Sequence, residues 1–208
     1  MKTTVNQTKQ RVLILCVAIV SAISAQAQFH AEIDFRYGLG LSENVIGTDI
    51  SIHKNLLKSY NLSVSGLYEA TPQVWAGIGI NMGVGNYSVL DLSTTPITQA
   101  PLMQFTPFAT VKYRPFVKHL NAYLFTDIGY SVPFKNARFF SEGFMWNIGV
   151  GYSWMFFKHF GLNASIGYNL LQIKGTSSFY TDPVTNEVKT IEANNLRHSL
   201  GFSIGVVF

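Results

Sequence analysis

The sequence predicts an all-β protein, an eight-stranded antiparallel up-and-down β-barrel that crosses a membrane. Three observations support this prediction: eight segments of alternating apolar and polar residues, apolar faces free of Asp, Glu, Lys and Arg, and connections that are alternately short and long. Period-two alternation is typical of strands whose two faces meet different surroundings. The segments lie at about residues 29–41, 59–70, 73–86, 102–114, 120–132, 144–156, 160–171 and 196–208.

The last segment shows the alternation most clearly. One face is apolar after His198, and the other consists of small residues apart from Val207. The apolar face carries Leu200, Phe202, Ile204, Val206 and Phe208. The first segment follows the same rule, but its second face carries charged residues.

The distribution of polar residues favours a membrane barrel over a soluble one. A soluble barrel of this size fills its lumen with large apolar side chains and turns charges outward. Here the second faces mix Gly, Ser and Asn with charges, which indicates a polar lumen and a lipid-facing exterior. Lipid offers no hydrogen bonds to an open sheet edge, so the strands must close into a barrel. Eight is an even number and the smallest size of such barrels.

The connections predict which way the barrel faces. Short connections lie near residues 71–72, 115–119 and 157–159, and long ones near 42–58, 87–101, 133–143 and 172–195. Membrane barrels of this kind have short periplasmic turns and longer extracellular loops. In the last long connection, Tyr180-Thr181 and residues 188–191 are strand-like and flank the turn-forming residues 182–186, which predicts a protruding hairpin.

The first 27 residues have the three parts of a secretory signal peptide. A basic stretch precedes an apolar run from Val12 to Ile23, and the small-x-small pattern Ala25-Gln26-Ala27 follows it. We expect cleavage before Gln28, which makes 1–27 a signal peptide and 28–208 the barrel domain. The alternative is a leader that stays attached as a membrane anchor.

Charge and cysteine content exclude several classes of function. Three of the 15 basic residues, Lys2, Lys9 and Arg11, belong to the leader, which leaves 12 basic residues against 11 acidic ones. A nearly neutral chain gives little support to nucleic-acid binding. Cys16, the single cysteine, also lies in the leader, so disulfides and thiolate metal sites are not expected.

The histidines predict neither catalysis nor metal binding. Their spacing matches no metal site, and we expect no cofactor. His198 and Ser199 are adjacent in a strand and point to opposite faces, so they cannot form a nucleophile–base pair. The sequence therefore predicts a protein that is not an enzyme, although a lipid-facing site that includes His198 stays open.

The charges predicted to face the lumen form the most informative polar set. Buried charges survive when they are paired and hydrogen-bonded. We therefore expect an ionic plug, with a proton or ion path as the alternative. The set is Glu32, Asp34, Arg36, Glu69, Lys112, Arg114 and Asp127. All of these residues except Arg36 and Asp127 are expected at similar depth in the periplasmic half of the lumen.

The chain resembles the outer-membrane β-barrel domain family, in particular the small eight-stranded barrels of the OmpX and OmpA type. The leader, the closing strand from Arg197 and its final Phe208 carry the resemblance, over residues 28–208. The resemblance implies that Leu200, Phe202, Ile204, Val206 and Phe208 form a signal read by the outer-membrane assembly machinery. It also implies an outer membrane that contains lipopolysaccharide, but no single activity.

Four functions remain open at this point. The first is a non-enzymatic surface barrel whose loops support envelope integrity, adhesion or binding of an extracellular partner. The second is a narrow, porin-like channel, and the third is a lipid-modifying enzyme. The fourth, a lipocalin-like carrier, would need an apolar lumen, which the predicted faces contradict.

Overall fold

Nearly all of the described chain is β-strand. The computed structural model describes residues 29–46, 51–52, 58–90, 97–115, 121–135, 140–157, 160–181 and 188–208. Within these ranges, no helix is long and apolar enough to cross a membrane. The strands are β1 (Phe29–Ile46), β2 (Ser51–Ile52), β3 (Lys58–Thr71), β4 (Val74–Leu90), β5 (Ile97–Tyr113), β6 (Ala122–Lys135), β7 (Phe140–Ser141), β8 (Gly143–Phe157), β9 (Phe160–Thr181) and β10 (Val188–Val207).

The eight long strands close into one antiparallel barrel. Their order is β1-β3-β4-β5-β6-β8-β9-β10, and β10 pairs with β1 to complete the circle. Backbone N–O hydrogen bonds of 3.1 and 2.8 Å join Ala31 to Phe208 at the seam. The predicted fold class is therefore confirmed. We call the end that holds Phe29 and Phe208 the terminal end, and the opposite end the loop end.

Burial alternates along the strands in the predicted sense. In β3 every second residue from Ser59 to Leu67 is buried, and the residues between them are exposed. On the outer surface Ile78 is 75% exposed and Ile204 is 66% exposed. The lumen buries small polar side chains, among them Asn61, Ser63, Ser65, Asn81, Thr110, Asn147, Asn163, Ser199 and Ser203. The apolar surface thus faces outward, as lipid requires, and the polar surface faces the lumen.

The strands extend beyond the predicted segments at the loop end. β9 has 22 residues and β10 has 20, and their last described pair is Thr181 with Val188. Most of the predicted long loop at 172–195 is therefore a two-stranded hairpin, which confirms the predicted strand pairing. Its turn, residues 182–187, lies outside the described residues. Beyond the bilayer both faces of a hairpin meet water, so its residues need not alternate between apolar and polar. The alternating pattern that predicted the eight segments therefore ends before the strands end.

The two ends of the barrel differ in how far the paired strands extend, because the strands continue into the predicted long connections at the loop end. The predicted short connections at 115–119 and 157–159 lie mostly outside the described residues. The turn between β3 and β4 is short as predicted, and Val74 N donates a 3.0 Å hydrogen bond to Thr71 Oγ1 there.

A bulge interrupts β1 near the loop end. Gly40 pairs with Ser199 and Ser42 pairs with His198, so Leu41 is an extra residue on one side of the ladder. Residues directly opposite each other in an antiparallel pair share a face of the sheet. Ser42 therefore lies on the outer face with His198, whereas uninterrupted alternation from Glu32 would place it in the lumen.

Candidate functional site

The terminal half of the lumen holds a lysine–carboxylate pair that spans the barrel. Lys112 is on β5 and Glu32 is on β1, two strands that do not neighbour each other in the sheet. Lys112 Nζ donates a hydrogen bond to Glu32 Oε2 and lies 4.6 Å from the centroid of the Tyr123 ring. Glu32 is 1% exposed and Lys112 is 8% exposed. Such an ion pair, removed from water, ties opposite walls of the barrel together.

A second ion pair crosses the lumen nearer the loop end. Arg36 Nη2 lies 3.4 Å from Asp127 Oδ2, and Asn147 Nδ2 donates a 3.1 Å hydrogen bond to the same oxygen. The Arg36 guanidinium carbon is 5.7 Å from the centroid of the Phe125 ring. β1, β6 and β8 are thereby linked through their side chains. We call Glu32, Asp34, Arg36, Lys112 and Asp127 the inner cluster.

The other two predicted lumen charges lie at the mouth of the terminal end. Glu69 Oε2 lies 3.4 Å from His30 Nε2. Arg114 donates a 3.1 Å hydrogen bond to Asn121 Oδ1 and stacks 4.7 Å from the centroid of the Trp75 ring. His30 stacks on the same indole, with the centroids 4.2 Å apart and the planes inclined by 7°.

The seven predicted residues thus form two layers, five in the inner cluster and two at the mouth. Glu32 and Lys112 belong to the inner cluster, whereas Glu69 and Arg114 have their own partners at the mouth. The structure therefore differs from the expected convergence of five charges at one depth. The stagger of neighbouring strands around the barrel sets relative depth, and counting residues from strand ends ignores this stagger.

A small cavity lies within the inner cluster. Its volume is about 30 Å³, and side chains from six strands surround it. All five residues of the inner cluster line it, together with Ser63, Ser65, Phe108, Thr110, Tyr123, Phe125, Ser165 and Ser203.

Aromatic rings fill the space that lumen glycines leave open. A Cβ on Gly149 or Gly167 would lie 2.7 or 3.0 Å from the Phe125 ring, and one on Gly151 would lie 2.3 Å from the Tyr123 ring. Gly151 and Gly149 of β8 lie directly opposite Tyr123 and Phe125 in the β6–β8 ladder, so the rings of β6 lie over glycines of the neighbouring strands. The alternation places these glycines in the lumen, and it places Tyr123 and Phe125 there as well, on the same face as Asp127, although large rings were expected only on the outer face.

The lumen near the loop end contains an apolar cluster, which the alternation pattern did not predict. Four buried side chains pack together there, and Phe108 packs against them. The four are Leu102, Met145, Leu171 and Ile173. Arg197, only 2% exposed, also lies in the loop-end half and donates a 3.0 Å hydrogen bond from Nη1 to the backbone oxygen of Asn86. Its place in the alternation, two residues before buried Ser199, is the signal that could have identified it.

The C-terminal residues lie where the alternation predicts. Phe202, Ile204 and Phe208 are exposed on the outer surface, and Leu200 and Val206 are half-buried on the same face. Phe208 packs against Phe160, with ring centroids 5.8 Å apart. The role of this face as an assembly signal stays a prediction. The predicted cleavage residues Ala25, Ala27 and Gln28 lie outside the described residues.

His198 lies on the outer surface, and its Nδ1 forms a hydrogen bond with the hydroxyl of Tyr168. Ser199 is buried in the lumen, so the two residues face opposite sides of the wall as predicted. Ser42, brought to the outer face by the bulge in β1, is the serine that pairs with His198 across the strands. In the whole described part of the chain, no three His, Cys, Asp or Glu residues form a group that could hold a metal ion.

Comparison with known proteins identifies the fold. No family model and no curated protein sequence matches the chain. The outer membrane protein OprG from Pseudomonas aeruginosa is similar in structure, with 13% identity, a TM-score of 0.52, and coverage of 87% of this chain and 95% of that one. The fold is that of an eight-stranded outer-membrane β-barrel.

Two further solved structures match this barrel less closely. The outer membrane enzyme PagL is 13% identical, with a TM-score of 0.46 and coverage of 82% of this chain and 97% of that one. Neisserial surface protein A is 13% identical, with a TM-score of 0.37 and coverage of 84% and 95%. At these TM-scores neither structure bears on the function of this chain. The fold, together with the apolar outer surface, places the barrel in the outer membrane.

Proposed function

We propose that the protein is a non-enzymatic surface barrel whose lumen is closed to ions and whose β9–β10 hairpin binds a partner outside the cell. The observation that carries the proposal is the length of this hairpin. The 22 residues of β9 correspond to about 70 Å of extended chain. With a strand tilt of about 40°, this chain rises about 55 Å, roughly twice the height of the apolar band of such barrels.

The edges of the hairpin support a binding role. β1 pairs with β10 only as far as Ile46 and Asn194, and β7 pairs with β9 as far as Gly175. Beyond these positions, no strand in the described ranges pairs with the outer edge of either β9 or β10. An unpaired strand edge offers its N–H and C=O groups to an extended segment of another chain. Strand addition is therefore the binding mode that this geometry favours.

The side chains that fill the lumen support the proposal that the barrel does not conduct ions. Two ion pairs and the rings of Tyr123 and Phe125 occupy the terminal half, and an apolar cluster against which Phe108 packs occupies the loop end. The interior of an eight-stranded barrel is just wide enough for side chains to fill it. A pathway for hydrated ions would require several of these contacts to separate at once.

The experiment combines deletion of the hairpin with a conductance measurement. Removing residues 176–192, with Gly175 joined to Ala193 by a short turn, should keep the barrel folded in the outer membrane. It should abolish binding of intact cells to the surfaces or proteins that wild-type cells bind. Planar-bilayer recordings of the wild-type barrel should show no steady conductance. Unchanged binding after deletion, or a steady large conductance, would contradict the proposal.

The outer face of β1, β9 and β10 favours a second candidate, an esterase that acts on membrane lipids. Ser42 and His198 face each other in the ladder, with Cβ atoms expected about 5 Å apart. Tyr168 holds the other side of the imidazole. In such a site the serine hydroxyl would attack an acyl ester while the histidine takes its proton, the ester bond would break as the histidine passes that proton to the leaving alcohol, and water would then release the acyl group from the serine. Mass spectrometry of outer-membrane lipids from cells with wild-type protein and with Ser42→Ala tests it, since identical lipid profiles exclude the esterase.

A further inference from the structure

The charges of the inner cluster do not balance. Three carboxylates face two cationic groups around one cavity. Glu32 pairs with Lys112 and Asp127 pairs with Arg36, whereas Asp34 has a side-chain hydrogen bond with Asn163 but no ion pair within 4 Å among the described residues. Asp34 is half-buried, and an ionised group partly removed from water inside a lipid-embedded wall is stabilised when an opposite charge pairs with it. One negative charge of the cluster therefore lacks a dedicated partner.

The cavity beside Asp34 offers oxygen atoms to a ligand. Thr110 is 3% exposed, lines the cavity, and its Oγ1 has no hydrogen-bond partner. Ser63 lies directly opposite Asp34 in the β1–β3 ladder and lines the cavity as well. Carboxylate and hydroxyl oxygens are the ligands that hard cations prefer. When a buried polar side chain at a cavity wall has no hydrogen-bond partner in the protein, an ion or water molecule in the cavity is expected to satisfy it.

Size and charge restrict the occupant. A volume of about 30 Å³ is room for about two water-sized spheres, since one needs about 10–15 Å³. The unbalanced charge is a single one, and Lys112 and Arg36 would repel a divalent ion more strongly than a monovalent one.

We propose that this cavity binds one small monovalent cation, such as Na⁺, between the carboxylate of Asp34 and the hydroxyl of Thr110. The cation neutralises the inner cluster and completes the coordination of Thr110 Oγ1. A bound water molecule would satisfy the hydroxyl, but it would leave the negative charge uncompensated.

The test measures thermal unfolding of the refolded barrel in neutral detergent at constant ionic strength, while choline chloride is replaced stepwise by NaCl. A ligand that binds only the folded state raises Tm with the logarithm of its concentration above the dissociation constant. At a hundredfold excess, a protein of this size should gain at least about 5 °C. Asp34→Asn should remove the dependence on Na⁺. Equal Tm values in choline and Na⁺ would overturn the proposal.

Two threonines on β5 provide a matched comparison. Thr106 and Thr110 are both buried and both have an unpartnered hydroxyl, but only Thr110 lines the cavity. Thr110→Val should reduce the Na⁺-dependent rise in Tm by half or more, whereas Thr106→Val should leave it unchanged. Equal effects of the two substitutions would refute a site at Thr110. This comparison does not depend on Asp34→Asn, so it decides the question even when that variant fails to refold.

A proton is the competing occupant of Asp34. If Asp34 binds a proton instead of a cation, acidification should raise Tm in choline and Na⁺ alike, and this rise should vanish in Asp34→Asn. That result would overturn the cation site. A dependence on Na⁺ that persists at neutral pH and weakens as the pH falls would support it, because protons and Na⁺ then compete for one carboxylate.

Discussion

The ion pair between Lys112 and Glu32 leads to a quantitative prediction. Lys112→Met keeps most of the aliphatic side chain but leaves Glu32, which is 1% exposed, without its cationic partner. Exposed ion pairs contribute at most about 1 kcal/mol, but this pair is buried on both sides. Breaking one partner of a buried pair costs about 3–5 kcal/mol. We expect the free energy of unfolding of Lys112→Met to fall by that amount.

The assay is equilibrium unfolding by urea in detergent micelles, followed by tryptophan fluorescence. The double variant Glu32→Leu with Lys112→Met should recover most of the lost stability, because replacing a whole buried ion pair by apolar residues is often neutral. Arg114→Met is the control, since Arg114 lies at the mouth, where its stacking on Trp75 should contribute only about 0.5–1 kcal/mol.

Two results would refute the reasoning. Lys112→Met could prove as stable as the wild type, which would mean that water reaches Glu32 and solvates it. Alternatively, the destabilisation of the double variant could equal the sum of the two single variants, which would mean that the side chains do not interact.

Four further predictions follow from individual features. N-terminal sequencing of protein extracted from the membrane should begin at Gln28, and an intact leader would show an anchored protein instead. Phe208→Ala should still fold in detergent, while its level in the outer membrane falls; equal loss in both assays would limit Phe208 to packing. Protease added to intact cells should cut first within 182–187, and first cleavage at the short turns would indicate the inverted orientation. Gly149→Ala should destabilise the barrel by about 1–3 kcal/mol, because its Cβ would lie 2.3 Å from a backbone oxygen of β9, whereas Gly66→Ala should be neutral, since no atom lies within 4 Å of its Cβ.

The composition of the lumen was only partly predictable. The alternation placed Glu32, Lys112 and Asp127 inside correctly, because burial on one face repeats every two residues. The same alternation also assigns Tyr123, Phe125 and Leu171 to the lumen face, although large apolar residues were expected only on the outer face. The rings lie inside because glycines of the neighbouring strand β8, Gly151 opposite Tyr123 and Gly149 opposite Phe125, make room for them, and that relation depends on the register between the two strands.

The face of Ser42 shows a different limit of sequence reasoning. Period-two counting from Glu32 assigns Ser42 to the lumen, whereas the bulge at Leu41 turns it to the outer surface opposite His198. A single inserted residue reverses the face of every residue that follows it in the strand. The bulge leaves no distinctive pattern in the sequence, so residues beyond it could not be assigned reliably.

The sequence alone determined the number of strands, their two faces and the outward position of the apolar surface, because each of these depends on alternation within a short segment. Only the tertiary structure decided which charges meet. Lys112 contacts Glu32 and Arg36 contacts Asp127 across the lumen, while Glu69 and Arg114 remain at the mouth. Those contacts depend on the diameter of the barrel and the stagger between neighbouring strands, which arise only when all eight strands close.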